Sequence, residues 1–389
     1  MKVFDAIVIG AGLAGLQCAK LLSAGGESVL LVDRKMDLSA GVHTTGIFVR
    51  KTFEDFDFPA GVLGQPIRDV ILHSPSLKPI SLKSSNDEFR VGDMGLLYTT
   101  LLAECIENGV EFASGTRYIK AEKESDGVVV TLERRSAESK IRARILIGAD
   151  GAVSRVARDL GLDENKEWIV GCEEVYRRTY DATAEPRLHC FMDARLAPGY
   201  LAWIADDGRE LHIGVGGYAS KFEPKAALKE FRDRIARQFF DVQDFLLAET
   251  RGGRIPVGGV LRRIANEHGL LIGDAAGAVS PLTAGGLDPC LRLSSFAAAV
   301  IAERLKTDDP LVLLKYSGDA FRARFISRLW MRRMIRVFSG QACLRIGCAF
   351  LRTPIGNKLA RHVFFGRSSF PDIEIKSADR SEAVLAREM

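Results

Sequence analysis

A short apolar run from Val3 to Ile9, broken only by Asp5, leads directly into Gly10-Ala11-Gly12-Leu13-Ala14-Gly15. Helix-spaced apolar positions then continue through Leu22. This order predicts a buried parallel strand, a tight turn and a helix. Asp5 and the glycines, with no charged leader before them, favour a strand over a signal peptide. A second strand is predicted over Ser28 to Val32, ending at Asp33, and further runs lie at Ala143 to Ile147 and Gly269 to Ile272. From Cys172 to Tyr218 apolar and polar residues alternate, predicting strands at Leu188 to Met192, Tyr200 to Ile204 and Leu211 to Val215 in an antiparallel sheet. Helices are expected at Leu96 to Glu107 and from Phe222 to Leu247.

The chain has 389 residues, more than the ~250–300 at which one core stops growing, so at least two domains are expected. With 47% hydrophobic and 27% charged residues the composition is globular, which excludes fibrous classes. A net charge of +4 is too small to point to nucleic acid as a partner. Basic residues are nevertheless concentrated from Arg322 to Arg367, a stretch without Asp or Glu that interleaves Phe321, Phe325, Leu329, Trp330, Met334, Val337, Phe338, Leu344, Phe350 and Leu351. An amphipathic segment over 320–366 is therefore expected, either packed on the protein or held peripherally at the inner membrane surface. Seven cysteines without metal-ligand spacing suggest no metal site and no disulfide framework, which fits a cytoplasmic chain. No apolar run reaches the ~18 residues of a membrane span.

The glycine turn carries the first chemistry. Gly10 permits the tight turn, Gly12 lets a pyrophosphate approach the backbone, and Gly15 lets helix and strand pack closely. Asp33, at the end of the next strand, can accept from adenosine ribose hydroxyls and would repel a 2′-phosphate. The site therefore takes FAD or NAD rather than NADP.

Two later stretches are Gly148-Ala149-Asp150-Gly151 and Gly273-Asp274-Ala275-Ala276-Gly277, the latter running on to Gly285-Gly286-Leu287. They resemble the Asp-Gly and Gly-Asp motifs of para-hydroxybenzoate hydroxylase-like flavoproteins, and Gly252-Gly253-Arg254-Ile255-Pro256-Val257-Gly258-Gly259 is similar to the geranylgeranyl reductase branch. The resemblance implies an α/β fold: a Rossmann-type FAD-binding domain with an inserted antiparallel-sheet substrate domain and a C-terminal helical region. The expected division is 1–70, 90–165 and 255–305 for FAD, 71–89 and 166–254 for substrate, and 306–389 for the helical region. It also implies that Asp274 binds the ribityl chain and that Gly285, Gly286 and Leu287 open a helix facing the flavin. The expected cofactor contacts are Gly10, Gly12, Leu13, Ala14, Gly15, Asp33, Arg34, Gly46, Arg90, Asp150, Asp274, Gly285, Gly286 and Leu287, with Trp203 and His43 toward substrate. The branch's Cys-Gly pair is replaced by Gly41-Val42-His43-Thr44-Thr45-Gly46, and of its Tyr-x-Trp-x-Phe-Pro motif only Trp203 remains.

Three functions follow from the resemblance. The leading one is reduction of carbon–carbon double bonds in a polyprenyl or related hydrophobic substrate. The second is a monooxygenase or halogenase acting on a small organic molecule, and the third a redox-neutral flavoprotein such as a carotenoid-type cyclase, or a non-catalytic binding protein. With no second glycine cradle in the sequence, electrons are expected from transiently bound NAD(P)H or from a protein carrier. No proton donor is identified.

Overall fold

The strand Val3–Ile9 lies between two parallel neighbours, Val29–Val32 and Ala137–Gly148, in the computed structural model, which describes residues 2–179, 185–241, 244–338 and 340–366. Parallel strands covered on both faces read as continuous apolar runs, and Ala6 to Ile9 are buried accordingly. Gly269–Leu271 extends the sheet beyond Ala137–Gly148, and Glu111–Ala113 extends it beyond Val29–Val32. Helices Leu13–Ala24, Met94–Glu107 and Leu287–Thr307 pack together beside this sheet, and their apolar faces share its core. The three sequence motifs fall at the ends of strands Val3–Ile9, Ala137–Gly148 and Gly269–Leu271, so the topology gathers them at one edge.

A second sheet has seven strands, in the order 245–256, 168–178, 210–217, 202–206, 187–191, 69–73, 79–83. The sequence suggested a wholly antiparallel sheet, but Arg187–Phe191 pairs in parallel with Asp69–His73. These two strands come from distant parts of the chain, so no hairpin sets their direction. The helix Pro224–Arg234 covers one face through Leu228 and Phe231. It is shorter than expected. From Phe245 the chain is already strand, with Leu246 and Leu247 paired to Arg177 and Tyr176, because the exposed edge of Trp168–Arg178 offers a ladder of unpaired backbone groups. A three-stranded sheet, Ile47–Val49, Phe89–Gly92 and Leu63–Ile67, joins the two larger ones.

Helices Ile326–Val337, Gln341–Leu351 and Pro354–Phe365 close the molecule. Phe321 and Phe325 do not belong to an outward apolar face, because both are buried in the main core. Trp330, Met334, Val337, Phe338 and Phe350 are exposed, and Ile346, Ile355 and Leu359 join them. Arg367 and the rest of the C-terminal region through Met389 lie outside the described residues. No helix among the described residues is long and apolar enough to cross a membrane.

Candidate active site

One continuous cavity of about 1420 Å³ runs from the glycine turn to the C-terminal helices. A single small-molecule site takes roughly 300–1,000 Å³, so this cavity has room for a cofactor and a second ligand.

At its dinucleotide end, a Cβ on Gly10 would lie 2.3 Å from the Ala149 carbonyl oxygen, and one on Gly15 would lie 1.9 Å from that of Gly10. Both positions are closed by backbone. Gly12 differs: a Cβ there meets nothing within 4 Å, so the open space belongs to whatever the turn holds. Gly12 is also the N-cap of the helix Leu13–Ala24, and no side chain caps it. Asp33 accepts from the Ala11 amide at 2.7 Å and the Lys35 amide at 2.8 Å, which fixes the carboxylate at the cavity wall with lone pairs to spare. Arg34, Leu13 and Ala14 line the same end.

The middle of the cavity meets Asp274. None of the described residues hydrogen-bonds its carboxylate, and burial pushes it up to about 6. Such a group needs donors from a ligand. Beside it, Gly285, Gly286 and Leu287 open the helix Leu287–Thr307, whose N-terminus has no side-chain cap either. Pro289 carries no amide hydrogen, so Leu287 and Asp288 present the free first-turn amides. Two uncapped helix N-termini and an unpartnered carboxylate along one cleft fit the pyrophosphate, ribityl chain and pyrimidine edge of FAD.

Asp150 borders the cleft, but its carboxylate accepts from the Ser154 hydroxyl at 2.6 Å and the Arg155 amide at 2.7 Å, so it fastens the start of the helix Arg155–Leu160. Burial still raises it, against those bonds. Arg90 does not reach the cavity. Its guanidinium is held by Asp87 at 2.9 Å and the Gly64 carbonyl at 3.3 Å, over the Phe53 ring, so the expected flavin contact is replaced by a structural one. Gly46 is likewise not part of the wall; it turns the chain with a φ of +81° tightly behind it, against Gly92 and Met94.

Trp203 and His43 both line the cavity. The Trp203 indole lies flat on neighbouring strands, where a Cβ on Gly214 would come within 2.2 Å of it. Its Nε1 donates to Glu173 Oε2 at 2.8 Å. Glu173 is 3% exposed and also accepts from the Thr45 hydroxyl, faces His212 Nδ1 at 3.3 Å and lies 3.8 Å from Arg251. Burial alone would raise Glu173, but the bonds from His212, Thr45 and Trp203 hold it below the usual carboxylate range. For His212, burial opposes the imidazolium, yet the bond and charge of Glu173 carry it above its ordinary value. Arg251 also donates to the Thr44 carbonyl at 2.8 Å, tying the 41–46 loop to this wall. His43, in that loop, is lowered chiefly by burial. None of Glu173, His212, Arg251 or Thr45 was singled out from sequence, since the four are far apart along the chain. Cys290 is buried, and burial raises its thiol, as for a small core hydrophobe. No group of side chains among the described residues could hold a metal ion.

Beyond Trp203 the wall becomes apolar, with Leu72, Leu188, Met192, Leu351 and Phe364.

A parallel sheet with a glycine cradle, an acid after the second strand and an uncapped flavin-side helix defines an FAD-dependent oxidoreductase. The family model described as Lycopene cyclase protein matches residues 5–352. Digeranylgeranylglycerophospholipid reductase 1 of Methanopyrus kandleri is 31% identical over 331 residues, covering 83% of this chain and 87% of that protein. The digeranylgeranylglycerophospholipid reductase of Methanocaldococcus jannaschii is 26% identical over 316 residues, 79% of each chain. A solved geranylgeranyl bacteriochlorophyll reductase-like protein of Thermoplasma acidophilum shares the fold with a TM-score of 0.81 at 19% identity, covering 95% of this chain and 98% of its own. A flavin-dependent brominase shares it at 0.69 and 15% identity, covering 100% of this chain and 98% of its own. The chain belongs to the flavoprotein family of lycopene cyclases and geranylgeranyl reductases, on the geranylgeranyl reductase branch.

Proposed function

We propose that this protein reduces carbon–carbon double bonds of a polyprenyl chain, using FAD held by Gly10 to Gly15, Asp33, Asp274 and Gly285 to Leu287. The observation that carries the reading is the apolar extension of the cavity past Trp203, continuous with the flavin cleft and too large for one ligand. The relatives' reductase names point the same way. When bound and reduced, the cofactor supplies the two electrons as a hydride. The chain's own contribution is orientation and exclusion of water. Asp274 accepts from the ribityl hydroxyls, the amides of Leu287 and Asp288 favour negative charge at the flavin edge, and Trp203, locked by Glu173, walls the path of the substrate.

We assign the domains as 1–70, 90–165 and 255–305 for FAD and 71–89 with 166–254 for substrate. Electrons come from NAD(P)H or a protein carrier that docks transiently. The exposed Trp330, Met334, Val337 and Phe338, with Arg333 and Arg336 beside them, support a peripheral contact of the C-terminal helices with an anionic membrane surface at the cytoplasmic side. Through their inner faces the same helices wall the cavity, so a lipid could pass from bilayer to flavin without crossing water.

Reduction is tested anaerobically: dithionite-reduced protein mixed with a polyprenyl substrate should lose its reduced-flavin spectrum as the product gains two hydrogens. A need for oxygen, with label from oxygen in the product, rejects the reading in favour of oxygenation. The lycopene cyclase family match favours a second reading, isomerisation without net redox change. Product of unchanged mass, formed while the flavin stays reduced, would establish it.

A further inference from the structure

The helix Ile326–Val337 turns two arginines one turn apart, Arg328 and Arg332, toward the cavity. Arg332 is 3% exposed, and its Nε and Nη2 find no acceptor among the described residues. Its Nη1 donates to the Gly199 carbonyl at 2.8 Å, and its guanidinium lies 4.7 Å from the centre of the Tyr218 ring. Arg328 donates to the Ser280 hydroxyl at 3.0 Å, and burial pushes its guanidinium below the ordinary range. Neither arginine forms an ion pair with a described residue. The nearby carboxylate, Glu167, accepts from the Tyr218 hydroxyl at 2.9 Å and lies 3.6 Å from Arg336.

A buried cation without a counter-charge is costly to the fold, and the buried Arg332 with the half-buried Arg328 one turn away on the same wall points to an anion that arrives from outside. Two free nitrogens on one planar fork match two oxygens of a phosphate, and a second guanidinium suits its second charge. The pyrophosphate of the dinucleotide belongs to the glycine turn, which leaves this pair to the second ligand. Apolar walls continue from it through Met331 and Ile335 to Leu344.

We propose that Arg328 and Arg332 form a subsite for the phosphate of a lipid substrate, fixing its head while the hydrocarbon chain occupies the apolar cavity. This rests on the polyprenyl reading above and adds to it a head-group chemistry and the residues that select it.

Binding to the FAD-loaded protein is measured by the change in flavin absorbance, or by calorimetry, for geranylgeranyl phosphate, geranylgeraniol and inorganic phosphate. The wild type should bind the phosphate ester at least about tenfold more tightly than the alcohol. Arg332→Met should remove most of that preference and leave the alcohol's affinity in place, Arg332→Lys should keep part of it, and Arg328→Met should weaken it. Thermal midpoint and flavin content verify folding. Since Arg332 is buried without a partner charge, Arg332→Met should hold or raise the midpoint, which loss of a structural arginine would not do. Equal binding of ester and alcohol by the wild type, or a preference that survives in both Met variants, overturns the subsite while leaving the polyprenyl reading intact. Inorganic phosphate binding as tightly as the ester identifies a free-anion site and also overturns it. If neither lipid binds, the polyprenyl reading fails and the subsite falls with it.

Discussion

The Trp203 indole donates to Glu173 at 2.8 Å, and this bond joins the cavity wall to a buried charged pair with His212. Glu173→Ala would leave His212, Arg251 and Trp203 short of a common acceptor, and is expected to cost about 3–5 kcal/mol of stability, read from denaturant unfolding. Trp203→Phe keeps the ring and loses one hydrogen bond, so it should cost only about 1–2 kcal/mol.

The same pair gives the stability a pH window. Glu173 is depressed from 4.5, so its contribution is present above that pH and is lost as pH falls through its folded value. His212 is raised from 6.5, so its contribution is full below that pH and is lost as pH rises through its folded value. The stability gap between wild type and Glu173→Gln should therefore be widest between pH 4.5 and 6.5. A gap that narrows neither as pH falls below this window nor as it rises above it would show that the pair is not charged.

Asp274 behaves in the opposite sense. Its carboxyl is raised from 3.8 to about 6, so in the flavin-free protein it weakens the fold above pH 6 and has no effect below 3.8. Asp274→Asn should stabilise the apoprotein at pH 7 by up to about 3 kcal/mol, with no difference near pH 3.5. Asp274→Ala, which removes the acceptor, should weaken FAD binding by about 1–3 kcal/mol, measured by flavin fluorescence.

Two glycines of one turn should separate binding from folding. A methyl at Gly12 enters open space, so Gly12→Ala should keep the apoprotein's thermal midpoint and lose FAD affinity. A methyl at Gly15 meets the Gly10 carbonyl oxygen at 1.9 Å, so Gly15→Ala should lower the midpoint itself. Equal effects of the two on stability would place the pyrophosphate elsewhere.

Flotation with liposomes tests the C-terminal helices. The full-length protein should float with anionic vesicles, less so as salt rises, and Trp330→Ser with Phe338→Ser should reduce the floated fraction without changing flavin content. Protein that stays at the bottom with anionic vesicles would make these helices a cap and nothing more.

The dinucleotide half was legible because it is local: Val3 to Gly15 and Asp33 carry strand, turn, helix and acid within one stretch of chain. The Gly-Asp stretch was legible for the same reason. Arg90 misled because it precedes a helix, as a flavin-contacting arginine does, whereas Asp87, three residues away, holds it instead. Glu173, His212 and Arg251 come from three strands that meet only when the second sheet forms. Arg332 looked like one more member of a basic amphipathic face. Only packing shows that it points inward while Arg333, its neighbour, points out.

Because both cofactor-side helices begin without a side-chain cap, FAD bound there would complete the hydrogen-bond inventory of the polypeptide as well as serving its chemistry. A ligand that binds only the native form deepens the native basin by mass action, and the unliganded chain is the one that opens to proteases. The amount of this protein in a cell should therefore follow the supply of flavin. Riboflavin starvation would shorten its lifetime before it limited its turnover, and a pulse-chase under starvation would register that as faster decay of the chain itself.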